Sequence, residues 1–180
     1  MKAKHTLFIL LLLLLTVACS DDSKPEPDFV PGDVLIGIKS TVTAEQVFDL
    51  MNGKQAFIYQ MSGFYQHSTF PNDSLDFVVE ELTDKSYFNT MGFSGGNAFI
   101  DAIDNRITVT QMFFNMNLSN QQDWLETMDK LQLVDEEGSK HVLIKVKPGR
   151  EDETIEIFKS HEYVAWAMLN YNVRVGPMTE

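Results

Sequence analysis

The order strand, helix, strand is written at both ends of residues 29–180, and a longer β-rich stretch separates the two copies. At the front, Val34-Leu35-Ile36-Gly37-Ile38 is a strand opened by Pro31-Gly32. A helix follows over residues 43–51. Thr43 and Gln46 stand at the spacing of a reciprocal N-terminal cap, and Val47, Leu50 and Met51 repeat on one helical face. Gly53 suits a left-handed helix exit. Residues 56–65 read as a second strand, bent at Gly63. At the back, residues 141–146 are a strand and residues 164–173 another. Between them a short helix over 151–159 follows Pro148-Gly149, with Glu151, Asp152 and Glu153 set against its positive start.

The intervening stretch is harder to read. Residues 70–96 are the least regular, and Phe77-Val78-Val79 suits a short strand. Residues 98–103 and 106–110 alternate as a hairpin about Asp104-Asn105, residue types that tolerate positive φ in a two-residue turn. Ser119 opens a helix whose inner face runs through Leu125, Met128 and Leu131 or Gln132, with Trp124 at its border. Strands and helices in this order predict an α+β domain. The expected core is a ferredoxin-like split βαβ unit with an inserted β-hairpin, a largely antiparallel sheet with helices packed on it. Residues 29–180 form one domain, since about 150 residues bury roughly 70% of their unfolded surface around one core.

Residues 1–18 stand apart from that domain. Lys2 and Lys4 precede an unbroken apolar run, Leu7-Phe8-Ile9 and six leucines. Nine to twelve apolar residues fall short of a hydrocarbon core of about 30 Å at roughly 1.5 Å per residue, so a secretory signal is the better reading. The run closes on Ala18-Cys19, and Cys19 is the only cysteine in the chain. Disulfides are therefore excluded as the means of holding the fold together.

Ala18-Cys19 at the end of such a run resembles a bacterial lipobox, with Thr16 where leucine is the commoner residue. The resemblance implies cleavage after residue 18, acylation of the Cys19 thiol, and a tether over residues 19–28. Ser20-Asp21-Asp22-Ser23 is similar to export signals that send lipoproteins to the outer face of an outer membrane. Lys24-Pro25-Glu26-Pro27 then reads as a stiff, extended spacer. The expected place is thus the bacterial outer membrane, lipid-anchored and facing the cell exterior, with several acyl chains giving stable anchorage.

A second resemblance lies at the ends of the domain. Val30-Pro31-Gly32-Asp33-Val34-Leu35-Ile36-Gly37-Ile38-Lys39 is similar to the opening strand of subtilisin-type propeptides. The succession of Val142-Leu143-Ile144-Lys145-Val146-Lys147-Pro148-Gly149, a short helix and Val164-Ala165-Trp166-Ala167-Met168-Leu169-Asn170-Tyr171 is similar to the closing end of those propeptides, although Met168 and Leu169 stand where they carry Glu and Pro. The match implies the ferredoxin-like core. It also implies a free-standing inhibitor whose tail, beginning Asn172, Val173, Arg174 and Val175, enters a protease cleft as an extended strand.

Little else in the sequence carries chemistry. Lys and Arg number 14 against 26 Asp and Glu, a net charge of −12 that repels phosphate backbones and argues against nucleic acid as a partner. Gly92-Phe93-Ser94-Gly95-Gly96 matches Gly-x-Ser-x-Gly, with Asp123, Asp129 and His141 downstream in triad order. That motif needs a helix after the serine, and two glycines start one badly, so a turn is the simpler reading. His67, His141 and His161 show no metal-ligand spacing, Asp101 and Asp104 flank a turn, and the runs Asp135-Glu136-Glu137 and Glu151-Asp152-Glu153 read as solvated faces. No catalytic residue, cofactor site or metal site is expected.

Aromatic stripes remain. Phe57, Tyr59 and Met61 share one face of their strand if residues alternate, with Ile58 on the other; Ile107, Val109, Gln111 and Phe113 share another. Such stripes most simply form core. Any excess left outside would make an apolar patch rimmed by acid, a surface for a peptide or sugar. The function expected is a non-enzymatic, lipid-anchored interaction module with a protein or peptide partner; the alternative is the propeptide-like inhibitor.

Overall fold

A computed structural model describes residues 28–83, 85–88 and 98–171. In chain order the elements are β1 (Phe29–Ile38), α1 (Ala44–Gly53), β2 (Phe57–Ser68), a 3-10 turn (Asn72–Ser74), α2 (Leu75–Leu82) and β3 (Ala98–Ile100). They continue with β4 (Ile107–Met116), α3 (Leu118–Lys130), β5 (Leu133–Asp135), β6 (Lys140–Lys145), α4 (Glu151–Lys159) and β7 (Val164–Tyr171). One seven-stranded sheet runs β3-β4-β2-β6-β1-β7, with β5 paired to β2 beside the main path. Every pairing is antiparallel.

The stretch β7-β1-β6-β2 is the ferredoxin-like core. Its first βαβ pass, β1-α1-β2, is split by β6, and its second, β6-α4-β7, is split by β1. Residues 69–139 are the insertion, and they widen the sheet on the β2 side with β4, β3 and β5. The fold is therefore the α+β arrangement that the element order predicts.

Local chemistry explains most of the elements. Thr43 caps α1 by accepting from the Gln46 N–H, and the Gln46 side chain accepts from the Thr43 N–H in return. Val47, Phe48, Leu50 and Met51 turn inward; full burial of each such side chain contributes about 1.5–3 kcal/mol. The left-handed residue after α1 is Gln55, at φ 55°, not Gly53. Asn117, not Ser119, caps α3, and its side chain accepts from the Asn120 N–H. The inner face of α3 is Gln121, Trp124 and Thr127, so Trp124 is its centre rather than its border.

Three expectations fail for physical reasons. Phe77-Val78-Val79 lies in α2, not a strand: Val78 and Leu82, four apart, bury at helical spacing and outweigh the β-branched preference. The hairpin exists, but Ile100 pairs with Ile107, so its loop spans six residues. Asp101 shapes that loop by accepting from the Ile103 and Asp104 N–H groups, while Asn105 takes the positive φ, 51°. In β2 the side-chain alternation slips. The bulge between Ile58 and Gln60 carries Met61 to the same side as Ile58, away from Phe57 and Tyr59, and the bulge between Met61 and Phe64 brings Phe64 to that side as well.

The core lies on one side of the sheet. Val34, Ile36, Ile58, Phe64, Val109, Phe113, Val142 and Ile144 face α1, α3 and α4 there, in one continuous buried cluster with Val47, Phe48, Trp124 and Phe158. Among the described residues, the opposite side of the sheet carries no helix.

Candidate functional site

That helix-free side is the candidate site. Cross-strand register sets Met168, Leu35, Leu143, Gln60 and Phe114 in one row across β7, β1, β6, β2 and β4. The next row holds Trp166, Gly37, His141 and Ser62. Tyr59, Tyr65, Met112, Val134, Trp166 and Met168 each keep more than a third of their surface in water, as do Phe57 at the start of β2 and Phe99 in β3. Such residues normally face a core, and an open array of them marks a surface that is covered in use.

Trp166 is held flat by its neighbour. A Cβ placed on Gly37 would lie 2.2, 2.3 and 2.7 Å from Cε2, Nε1 and Cδ2 of the indole. Those distances place the point above the ring face, so one face of the indole rests on the Gly37 backbone and the other meets solvent. The His141 ring stands 5.6 Å away at 49° and walls one side. Only glycine leaves room for this approach.

The charges on this face neutralise one another. Lys145 Nζ lies 2.5 Å from Asp33 Oδ1 and 4.5 Å from the Tyr59 ring centre, while Asn170 donates to Asp33 Oδ2 at 3.0 Å. Arg106 reaches Glu136 at 2.7 Å, and His67 Nδ1 stands 2.5 Å from the same carboxylate oxygen. A molecule of net charge −12 thus presents an apolar, aromatic and locally balanced face.

The other candidates disperse. Cys19, the tail residues Asn172, Val173, Arg174 and Val175, and the Ser94 turn lie outside the described residues. Asp123 and His141 stand on opposite sides of the sheet, since α3 packs on the core side and His141 points away from it. Asp129 is exposed near the end of α3. His161 sits in the turn after α4, where its Nδ1 accepts from the Tyr163 N–H at 3.2 Å. Asp101 and Asp104 lie in the β3–β4 loop, where Asp101 accepts backbone N–H groups and Asp104 pairs with Arg106 at 3.0 Å. Among the described residues no three His, Cys, Asp or Glu side chains converge to hold a metal ion, and no helix is long and apolar enough to cross a membrane.

No family model, curated protein sequence or solved structure matches this chain.

Two polar clusters escaped the sequence reading, and both are structural. Asp123 accepts from the Tyr87 hydroxyl at 2.5 Å and from Lys85 at 2.8 Å, and Lys85 also donates to Thr127. Burial pushes the Tyr87 phenol well above its ordinary range, reinforced by the Asp123 carboxylate. Burial acts to raise Asp123 too, but its hydrogen bonds from Lys85 and Tyr87 and the Lys85 charge outweigh that and hold it low. A phenol held protonated on a fully engaged carboxylate is a clamp between residues 85–88 and α3, not an acid–base pair. The second cluster is Glu151, which is buried rather than solvated. It accepts from the Gly32 N–H and the Gly149 N–H, each at 2.6 Å, and ties β1 to the start of α4.

Proposed function

We propose that the protein is a non-enzymatic interaction module, held in a bacterial envelope by lipid on Cys19, that binds a protein or peptide through the open face of its sheet. The observation that carries this reading is the flat, charge-balanced aromatic face, with Trp166 of the edge strand β7 pinned on Gly37. Aromatic anchors on a rigid support lose little conformational freedom on binding, and burying them supplies most of an interface's free energy. The lipobox-like segment supports the anchor, and the acidic spacer after it would hold the domain clear of the bilayer.

The test is a photo-cross-linking residue placed at Tyr65 or Met168 in the producing cell, with Glu45 and Glu156 on the helical side as controls. A discrete adduct from the sheet positions alone supports the reading. Equal labelling from both sides, or none from the sheet, contradicts it.

A second reading, inhibition of a subtilisin-type serine protease, draws support from β7. It is an edge strand that ends at Tyr171 and runs directly into residues 172–180. Micromolar protein that fails to inhibit subtilisin, with or without that tail, removes it.

A further inference from the structure

The basic residues of this acidic chain are not spread evenly. A recess of about 380 Å³ opens between the end of α1, the end of β6 and the side of α4. Lys54, Lys145, Lys147 and Arg150 line it, so it holds four of the 14 Lys and Arg in the chain, and none of the 26 carboxylates lines it. Two of the four are engaged. Lys145 turns to Asp33 on the open face, and Arg150 pairs with Glu153 at 2.6 Å. Lys54 and Lys147 have no ion-pair partner among the described residues. The floor is apolar: Ala56, Ile144, Val146, Ile157 and Phe158.

We propose that this recess binds an amphipathic anion, a carboxylate or phosphate head carried on an apolar stem. The head meets Lys54 and Lys147, and the stem lies on Ile157, Val146 and Phe158. Neither half suffices alone, because two exposed lysines bind a free ion weakly and the floor is too small to hold a neutral hydrocarbon.

The position of the recess suggests where such a ligand comes from. The Val146 N–H donates to the Gly32 carbonyl at 2.8 Å, so the recess adjoins the start of β1, where the described chain begins at Asp28. The nine peptide links from there back to Cys19 reach about 30 Å when extended. An anchor at Cys19 would tether this end of the domain within about 30 Å of the bilayer, so the recess is the part of the domain that its lipids reach first. That source rests on the anchoring proposed above; the ligand chemistry does not.

The experiment follows backbone amide shifts in the mature chain, residues 19–180 with Cys19→Ser, titrated with decanoate and separately with inorganic phosphate. Saturable decanoate shifts at Lys54, Val146, Lys147 and Ile157 are expected, with phosphate at least about tenfold weaker. The double variant Lys54→Gln/Lys147→Gln should weaken decanoate about tenfold, and Lys130→Gln should not. Loss of decanoate shifts at the recess, or shifts equal in the double variant, overturns the proposal. So does a recess whose amides respond to Asp21→Asn/Asp22→Asn/Glu26→Gln and not to decanoate, which would make the tether itself the occupant. Sedimentation with vesicles of phosphatidylglycerol and phosphatidylcholine separates the sources. Binding lost in the double variant assigns a membrane lipid, and decanoate binding without vesicle binding assigns a free amphiphilic acid; both uphold the site.

Discussion

Two residues show how single side chains set this structure. Glu151 accepts two backbone N–H groups, one from β1 and one from the turn before α4, and the Gly32 N–H is the main reason its carboxyl lies below the usual range. A carboxyl whose pKa is depressed by folding adds stability above its unfolded pKa, and that stability is lost as pH falls through the folded value. Glu151→Gln is therefore expected to lower stability by about 1–2 kcal/mol at neutral pH. It should also flatten part of the acid limb of a melting-temperature profile; parallel limbs in the two proteins would contradict this. At Gly37 the issue is space. Gly37→Ala sets a methyl into the Trp166 ring, and the indole, at the sheet surface, is free to swing into water. The expected result is a red-shifted Trp fluorescence and a stability loss of about 1 kcal/mol or less, together with loss of the cross-linked adduct on the reading proposed above. An unshifted spectrum would mean that the ring does not rest there.

At the scale of elements, β2 decides the most. It pairs with β4, β5 and β6, and its bulges choose which of its aromatics enter the core. Gly63 sits at the second bulge with φ +78°, and a Cβ there would stand 1.9 Å from the Ser139 carbonyl oxygen. Backbone cannot yield as a side chain can, so Gly63→Ala should cost about 2–4 kcal/mol in a urea melt, far more than Gly53→Ala, where nothing stands within 4 Å. Equal losses would deny the bulge its role. The same strand shows what can be read from sequence. The bend at Gly63 is legible because glycine in a strand has few uses. The phase is not, because each extra residue reverses every side chain after it. Helix α4 was legible to the residue, marked by Pro148-Gly149 before it and acids in its first turn. Helix α2 was not, since its inward pair depends on a core built by other elements, and β5 is only three residues long.

For the whole molecule, the element order was enough to give the split βαβ core, because two interleaved passes leave few other sheet orders. The candidate site was not legible. Trp166, Leu35, Leu143 and Phe114 come from four strands, and no local pattern says which side of the sheet the helices will cover. Once α1, α2, α3 and α4 take one side, the other becomes a broad apolar surface on a strongly acidic body. The central claim is that this surface is covered in the cell. Hydroxyl-radical footprinting of intact cells against the purified protein tests it most directly. The account predicts that Met112, Trp166 and Met168 are protected in the cell while Phe77, exposed on α2, is oxidised equally in both. Equal oxidation of Trp166 and Met168 in the two preparations would contradict it.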